Sequence, residues 1–328
     1  MAPFATRREV LAAMVAVPLA GCARAAGVGG TPAAASGPLV IYSPAPADNP
    51  LHALNTQLLA LAEGDPLLAG MTVPPMALPQ SINSVADADP AERHRHWPIV
   101  TTADFRPARM GAGPDWHGYD RANGDLKFVA KLYDVGFGIQ PFDDAIRSPG
   151  DLRGKRIGVP PRPSAVRWLS EALLGDGWGI LDDVTLVDIV PPQIAEARTA
   201  GRIDATSWNL IVPNASGLEP MTGGGDARYL AVDEAALERI NAANDFELAL
   251  LPPHAGDVRP LSFAQALAAW DGSDPRRIEA MLARLADRGS RFTGFPASIA
   301  EMRDWPGLRE EEIHPVARAF WETRRAGG

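Results

Sequence analysis

Few side chains in this sequence have a type and spacing that could do chemistry, and those that do suit holding a small molecule. Arg162 and Ser164 stand just ahead of a stretch with helical periodicity that begins at Ala165. A helix N-terminus presents unpaired N–H groups and a partial positive charge, which suits an anion. A guanidinium beside it completes a carboxylate clamp. The alternative is plainer: Ser164 caps the helix and Arg162 sits in water. Thr101 and Thr102 end one strand-like run, and Trp208 and Asn209 end another. An indole there either stacks on a flat ligand, covers an apolar one, or packs at a hinge.

The other reactive patterns lead nowhere. His94-Arg95-His96 invites a metal, but a transition-metal site needs three or four converging ligands, and no cysteine or paired carboxylate is near. It reads as an exposed loop. His314 reads as a cap or packing residue of the last helix. Gly-x-Ser-x-Gly, Walker and Gly-x-Gly-x-x-Gly patterns do not occur, and Gly223-Gly224-Gly225 lacks the strand and lysine of a phosphate loop. No catalytic set, metal or cofactor is expected.

The first residues address the chain. Arg7-Arg8 precede an apolar run from Val10 to Ala20 that closes on Leu19-Ala20-Gly21-Cys22. A charged start, a short apolar run and small residues before a cut describe an export signal. The run is too short for a bilayer core needing ~20 residues. Paired arginines suggest the twin-arginine route. Cys22 is the single cysteine, which rules out an internal disulfide. Leu-Ala-Gly-Cys resembles a lipobox, so Cys22 is the expected lipidation site, with residues 1–22 as the signal. Two acyl chains anchor stably where one does not. Residues 23–37, rich in Ala, Gly, Pro, Thr and Ser, read as a tether. The expected location is the periplasm, on a membrane.

The formal charge is -9, and loss of the signal leaves about -10. An acidic chain with no basic run speaks against nucleic acid. About 300 mature residues exceed one ordinary core, so two lobes are expected.

Patterning gives the elements that must position these residues. Leu39–Tyr42 reads as a strand and Leu51–Glu63 as a helix, with Leu51, Leu54, Leu58 and Leu61 on one stripe. Met71–Val73 and Ile99–Thr102 read as strands, Ser81–Ala88 as a short helix, and 104–124 as irregular. Leu126–Ile139 is a long strand able to cross between lobes. Arg156–Val159, Ala165–Leu174, Val184–Val190, Pro192–Ala200 and Ile203–Leu210 alternate strand and helix, which implies a mostly parallel sheet with helices on its faces. Tyr229–Val232 reads as a strand. Glu234–Asn241, Ser262–Trp270, Asp274–Arg288 and Pro315–Arg325 read as helices. Asp274-Pro275 gives an N-cap, and Ser298–Glu301 a capping box.

Ser148-Pro149-Gly150-Asp151-Leu152-Arg153-Gly154-Lys155-Arg156-Ile157-Gly158-Val159 resembles the Asp-Leu-Lys-Gly-Lys-Arg-Val segment of type II periplasmic binding proteins. Three further segments resemble the TAXI family, the solute receptors of one class of TRAP transporters. They are Phe128–Tyr133, the stretch from Leu230 through Leu251-Pro252-Pro253-His254-Ala255-Gly256, and Glu312–Glu322 with its His314-Pro315. The likeness covers roughly 40–322. Two loops depart from it: Ser43–Asn49 is proline-rich, and Pro160–Ser164 has no glycine.

The resemblance implies an α/β, two-lobe periplasmic binding protein type II fold with two crossing strands as hinge. It implies lobe one from 38–136 plus 214–328 and lobe two from 137–213. It also implies a solute receptor for a small organic anion or zwitterion, working with TRAP-type membrane subunits and without catalysis. Ser43 and the polar Ser81 and Asn83 join Thr101, Thr102, Arg162, Ser164, Trp208 and Asn209 as expected ligand contacts, although Asn83 also suits a helix cap. An accessory or scaffold lipoprotein, or an ABC-transporter receptor of the same fold, is the alternative.

Overall fold

The computed structural model describes residues 37–211, 229–251, 259–292 and 294–326. The export signal, Cys22, the tether up to Ser36, the Gly223–Gly225 turn and most of the Leu251–Gly256 loop lie outside the described residues. Among the described residues no helix is long and apolar enough to cross a membrane.

The chain begins with β1 (Val40–Tyr42), α1 (Pro50–Ala62), α2 (Leu78–Ala86) and α3 (Pro90–Arg93), then β2 (His96–Thr101), α4 (Phe105–Met110) and the long β3 (Leu126–Pro141). An alternating run follows: β4 (Arg156–Val159), α5 (Ala165–Ala172), β5 (Thr185–Asp188), α6 (Pro191–Thr199) and β6 (Ala205–Ile211). The rest is α7 (Glu234–Asn244), β7 (Ala249–Leu250), β8 (Leu261–Trp270), α8 (Pro275–Arg288), α9 (Ile299–Arg303) and α10 (Pro315–Ala326).

Helix starts follow local chemistry. Asn49, Asp89 and Asp274 each accept a backbone N–H of the first turn, and a proline follows each of them. Ser298 caps α9 by accepting from Glu301 N at 3.2 Å, but the expected box is only half formed, because the Glu301 carboxylate accepts from Ala297 N at 2.8 Å and not from Ser298 N. On α8, Ile278, Met281, Leu282 and Leu285 make the buried stripe.

Four elements differ from the sequence expectation. Leu261–Trp270 is a strand and not a helix. All ten residues are buried, because β8 lies inside the sheet with cover on both faces. Such a strand shows no two-residue alternation and cannot be told from a buried helix by period. The stretch 104–124 is not wholly irregular, since α4 occupies Phe105–Met110 and ends at Gly111 in the left-handed conformation. Met71–Val73 contributes only a bridge, Val40 to Thr72. Tyr229–Val232 forms no strand, although Leu230 N donates to Ile139 O at 3.0 Å.

The sheet order is β1-β2-β8-β3-β6-β4-β5, with β7 beside β8. β1 pairs parallel to β2, and β4 parallel to β5 and β6. β8 runs antiparallel to both β2 and β3, and β6 antiparallel to β3. Hence β1, β2 and β3 share one direction, and β4, β5 and β6 run the opposite way.

That polarity fixes where the site can be. Thr101, the end of β2, stands opposite Gln265, which stands opposite Tyr133 of β3. On the other flank Gly158 of β4 pairs with Thr206, which pairs with Gln140 of β3, so β4 ends level with Ile139. The carboxyl ends of the two parallel groups therefore face each other across β3 from about Tyr133 to Ile139, roughly 20 Å at ~3.3 Å per residue. Open α/β sheets hold ligands at strand carboxyl ends.

Candidate functional site

The β2 flank of this seam carries two buried hydrogen-bond networks. In the first, Asn55 of α1 donates to Ser43 Oγ at 3.0 Å, and Tyr133 Oη lies 2.5 Å from Asn55 Oδ1 and 2.8 Å from the Gln265 amide. Thr101, Gln265 and Tyr133 form one cross-strand row, and all are buried. Burial holds the Tyr133 hydroxyl well above its ordinary pKa, so it acts as a neutral donor.

The second network centres on Asp104, which is completely buried at the start of α4. Thr101 Oγ1 donates to Asp104 Oδ2 at 2.8 Å. His117 Nε2 and Tyr119 Oη reach Asp104 Oδ1 at 2.8 and 3.0 Å. Burial first, and the Asp104 charge second, push the Tyr119 hydroxyl well up. Thr102 is engaged otherwise: its hydroxyl accepts from Ala264 N at 3.2 Å and braces β8.

The β4 flank is built differently. Ser164 is the N-cap of α5, yet its side chain accepts no backbone bond, so the hydroxyl is not committed to capping. Arg162 is half-exposed. It pairs with Glu171 at 2.6 Å and lies 4.5 Å from the centroid of the Trp116 ring. Arg167 is buried between Glu171 at 2.6 Å and Asp188 at 2.5 Å. Both guanidinium charges are thus matched by side chains of the chain itself. Trp168 spans the seam: its ring meets His117 at 5.4 Å and Phe246 at 4.8 Å, and its Nε1 donates to Asn244 at 3.2 Å.

The remaining expected residues scatter. Trp208 and Asn209 are consecutive on β6, so the pleat turns them to opposite faces. Trp208 packs with Ile189, Ile194 and Ile203 on the α6 side. Asn209 shares the α5 side with Ser207, whose hydroxyl meets Ser170 Oγ at 2.9 Å. Ser81 Oγ donates to Leu78 O within α2 at 2.8 Å, and Asn83 accepts from Asp120 N at 3.3 Å. The structure therefore brings Ser43 and Thr101 into one polar neighbourhood and Arg162 and Ser164 into another. Ser81 and Asn83 serve α2 and the loop before β3.

Four side chains at or beside the seam are at least nine-tenths buried and carry a polar atom without a hydrogen-bond partner: His117 Nδ1, Trp208 Nε1, Asn209 Oδ1 and Tyr229 Oη. Tyr229 packs over Gly138, where a Cβ would lie 3.2 Å from its ring. Buried polar groups are nearly always paired, and these four fall on two faces of the sheet: Trp208 and Tyr229 on the α6 side, His117 and Asn209 on the α5 side.

Asp104, His117, Tyr119 and Trp168 are not among the sequence-expected contacts. The signal was present as Trp116-His117-x-Tyr119, an aromatic cluster within a stretch read as irregular. Only the fold turns it toward Asp104 and α5. His94-Arg95-His96 is not the exposed loop expected, because His94 caps α3 and His96 opens β2, all three residues being partly buried, whereas His314 caps the last helix as expected. His96 stacks on Tyr42 and bonds Tyr42 Oη at 2.9 Å, and His314 Nδ1 accepts from Val316 N at 3.3 Å in the first turn of α10. Among the described residues no group of three or more His, Cys, Asp or Glu could hold a metal ion.

Residues 125–242 match the model of the family described as NMT1/THI5 like. That stretch runs from the start of β3 to the last turn of α7. No curated protein matches the chain. Among solved structures it is similar to Rpa4515 of R. palustris with adipate, at 15% identity and TM-score 0.53, covering 88% of this chain and 95% of that one. It is also similar to MatC (Rpa3494) of Rhodopseudomonas palustris with bound malate, at 16% identity and TM-score 0.50, covering 88% and 97%. With its mixed sheet covered by helices, the chain has the α/β fold of periplasmic binding proteins.

Proposed function

We propose that this chain is an extracytoplasmic solute-binding receptor that captures a small organic anion or zwitterion and delivers it to a TRAP-type membrane transporter. The observation that carries the proposal is the meeting of the carboxyl ends of both strand groups across β3, where His117 and Asn209 hold buried, unpartnered polar atoms on the α5 side. Proteins of the same fold are seen with adipate and malate, both carboxylates, which supports the ligand class. Lobe one, 38–136 plus 214–328, would close on lobe two, 137–213, about β3 and β6. Capture and closure are the mechanism, and no bond is made or broken.

The ligand's anionic end would meet Ser164 and Arg162 at the start of α5. Ser43, Ser81, Asn83, Thr101 and Thr102 would line the lobe-one side, and Trp208 and Asn209 the crossing. Cys22 would hold the lipid, placing the receptor in the periplasm on a membrane.

The test is ligand-dependent thermal stability across a panel of carboxylates and zwitterions. A true ligand at 100 times its Kd stabilises by about 2.7 kcal/mol. A flat panel would instead favour an accessory or scaffold lipoprotein. That second reading has its own observation: Arg162 and Arg167 already hold Glu171 and Asp188. Cys22→Ser should release the protein from the membrane fraction, and retention of the variant there would remove the lipid claim.

A further inference from the structure

His117 is 3% exposed and touches both flanks of the seam. Its Nε2 lies 2.8 Å from Asp104 Oδ1. A carboxylate only accepts, so Nε2 carries a hydrogen, and whenever the ring holds a single hydrogen Nδ1 keeps its lone pair. That lone pair is buried and has no partner. Asp104 is itself gripped by Thr101 and Tyr119, so the tautomer is fixed from behind. Around the ring stand Trp116 at 5.6 Å, Tyr119 at 6.3 Å and Trp168 at 5.4 Å. Trp168 belongs to α5, on the opposite flank from His117.

We infer that His117 is a specificity residue, whose Nδ1 accepts a hydrogen bond from an ammonium group of the ligand between the aromatic faces of Trp116 and Trp168. This rests on the solute-receptor reading and adds the second end of the ligand to it. Three facts select an ammonium. The free atom is an acceptor, so it rejects a bare carboxylate or ether oxygen. The rings beside it attract a cation through their faces, as Trp116 already does for Arg162 at 4.5 Å on one of its faces. On the opposite flank Arg162 and Arg167 are matched by Glu171 and Asp188, while Asp104 has no arginine or lysine partner at 4 Å or less among the described residues. The ammonium would enter where Trp168 now meets His117, as the two flanks part.

The test compares matched pairs by calorimetry on the full mature chain: L-glutamate with glutarate, and L-leucine with 4-methylpentanoate, plus butylamine as an ammonium alone. At least one ammonium-bearing member should bind roughly 10- to 100-fold tighter than its partner. His117→Phe keeps the ring packing, and it should bring that ratio close to one. Imidazole nitrogen NMR of wild type, which needs no variant, should show an unprotonated Nδ1 whose signal shifts when the tighter ligand is added. Equal binding within every pair, an unchanged ratio in His117→Phe, or a protonated Nδ1 overturns the inference and leaves the receptor reading standing. Failure of every compound in the pairs and in the wider panel to bind overturns both.

Discussion

The two flanks of the seam use polar groups in opposite ways. On the β2 flank the polar side chains are buried and neutral or singly charged: Ser43, Asn55, Tyr133 and Gln265 in one chain of bonds, Thr101, Asp104, His117 and Tyr119 in the other. On the β4 flank they are charged and largely matched in pairs, with Arg162 and Asp188 reaching solvent. A buried network holds one geometry, because each unmade bond there costs a full desolvation penalty. An ion pair open to water is cheap to break and remake. The contrast sets a fixed wall against an adjustable one, the division that the proposed closure would need.

The contrast can be broken most readily at Asp104. Asp104→Ala leaves the donors of Thr101, His117 and Tyr119 without their acceptor, and should cost about 3–5 kcal/mol in denaturant unfolding. A loss under ~1 kcal/mol would mean the wall is not fixed there. Tyr133→Phe is gentler. It keeps the ring stacked on Phe295 at 6.2 Å but strands Asn55 and Gln265, for a loss of about 1–2 kcal/mol.

Acidification tests the same flank further from the seam. Burial holds His314 below its unfolded value of 6.5, so the unfolded chain binds more protons. Stability should therefore fall as the pH drops below about 6.5. His314→Asn, which can still cap α10, should flatten that slope. An unchanged slope would assign the acid sensitivity elsewhere.

The smallest effect on stability belongs to the β4 flank. Arg162→Ala should change unfolding by less than ~1 kcal/mol, since the pair with Glu171 is half-exposed. Its effect on ligand affinity should be larger, roughly 1–3 kcal/mol if the proposed anion contact is made. A stability loss matching that of Tyr133→Phe would erase the difference between the flanks.

Much of this was legible in the residues, for local reasons. A strand–helix alternation from Arg156 to Leu210 needs only period and turn chemistry, and it appears as β4 to β6. Caps such as Asp274 and Ser298 act within a few residues, and they sit where they were read. The fold class followed from that alternation and from the Asp151–Val159 resemblance. By itself, then, the sequence determined the element types wherever a segment has one wet face and one dry face, and the helix starts wherever a side chain reaches its own backbone.

The tertiary structure decided the rest. Leu261–Trp270 became a strand because it lies between β2 and β3 with both faces covered, and that burial erased the period that would have marked it. Trp208 and Asn209 parted because β6 pairs with β3, which gives one face to α6 and the other to α5. Asp104, His117 and Trp168 became neighbours although the last lies 51 residues beyond His117. No local propensity encodes such a meeting. It depends on strand order and register, which long-range packing sets and no short window of sequence contains.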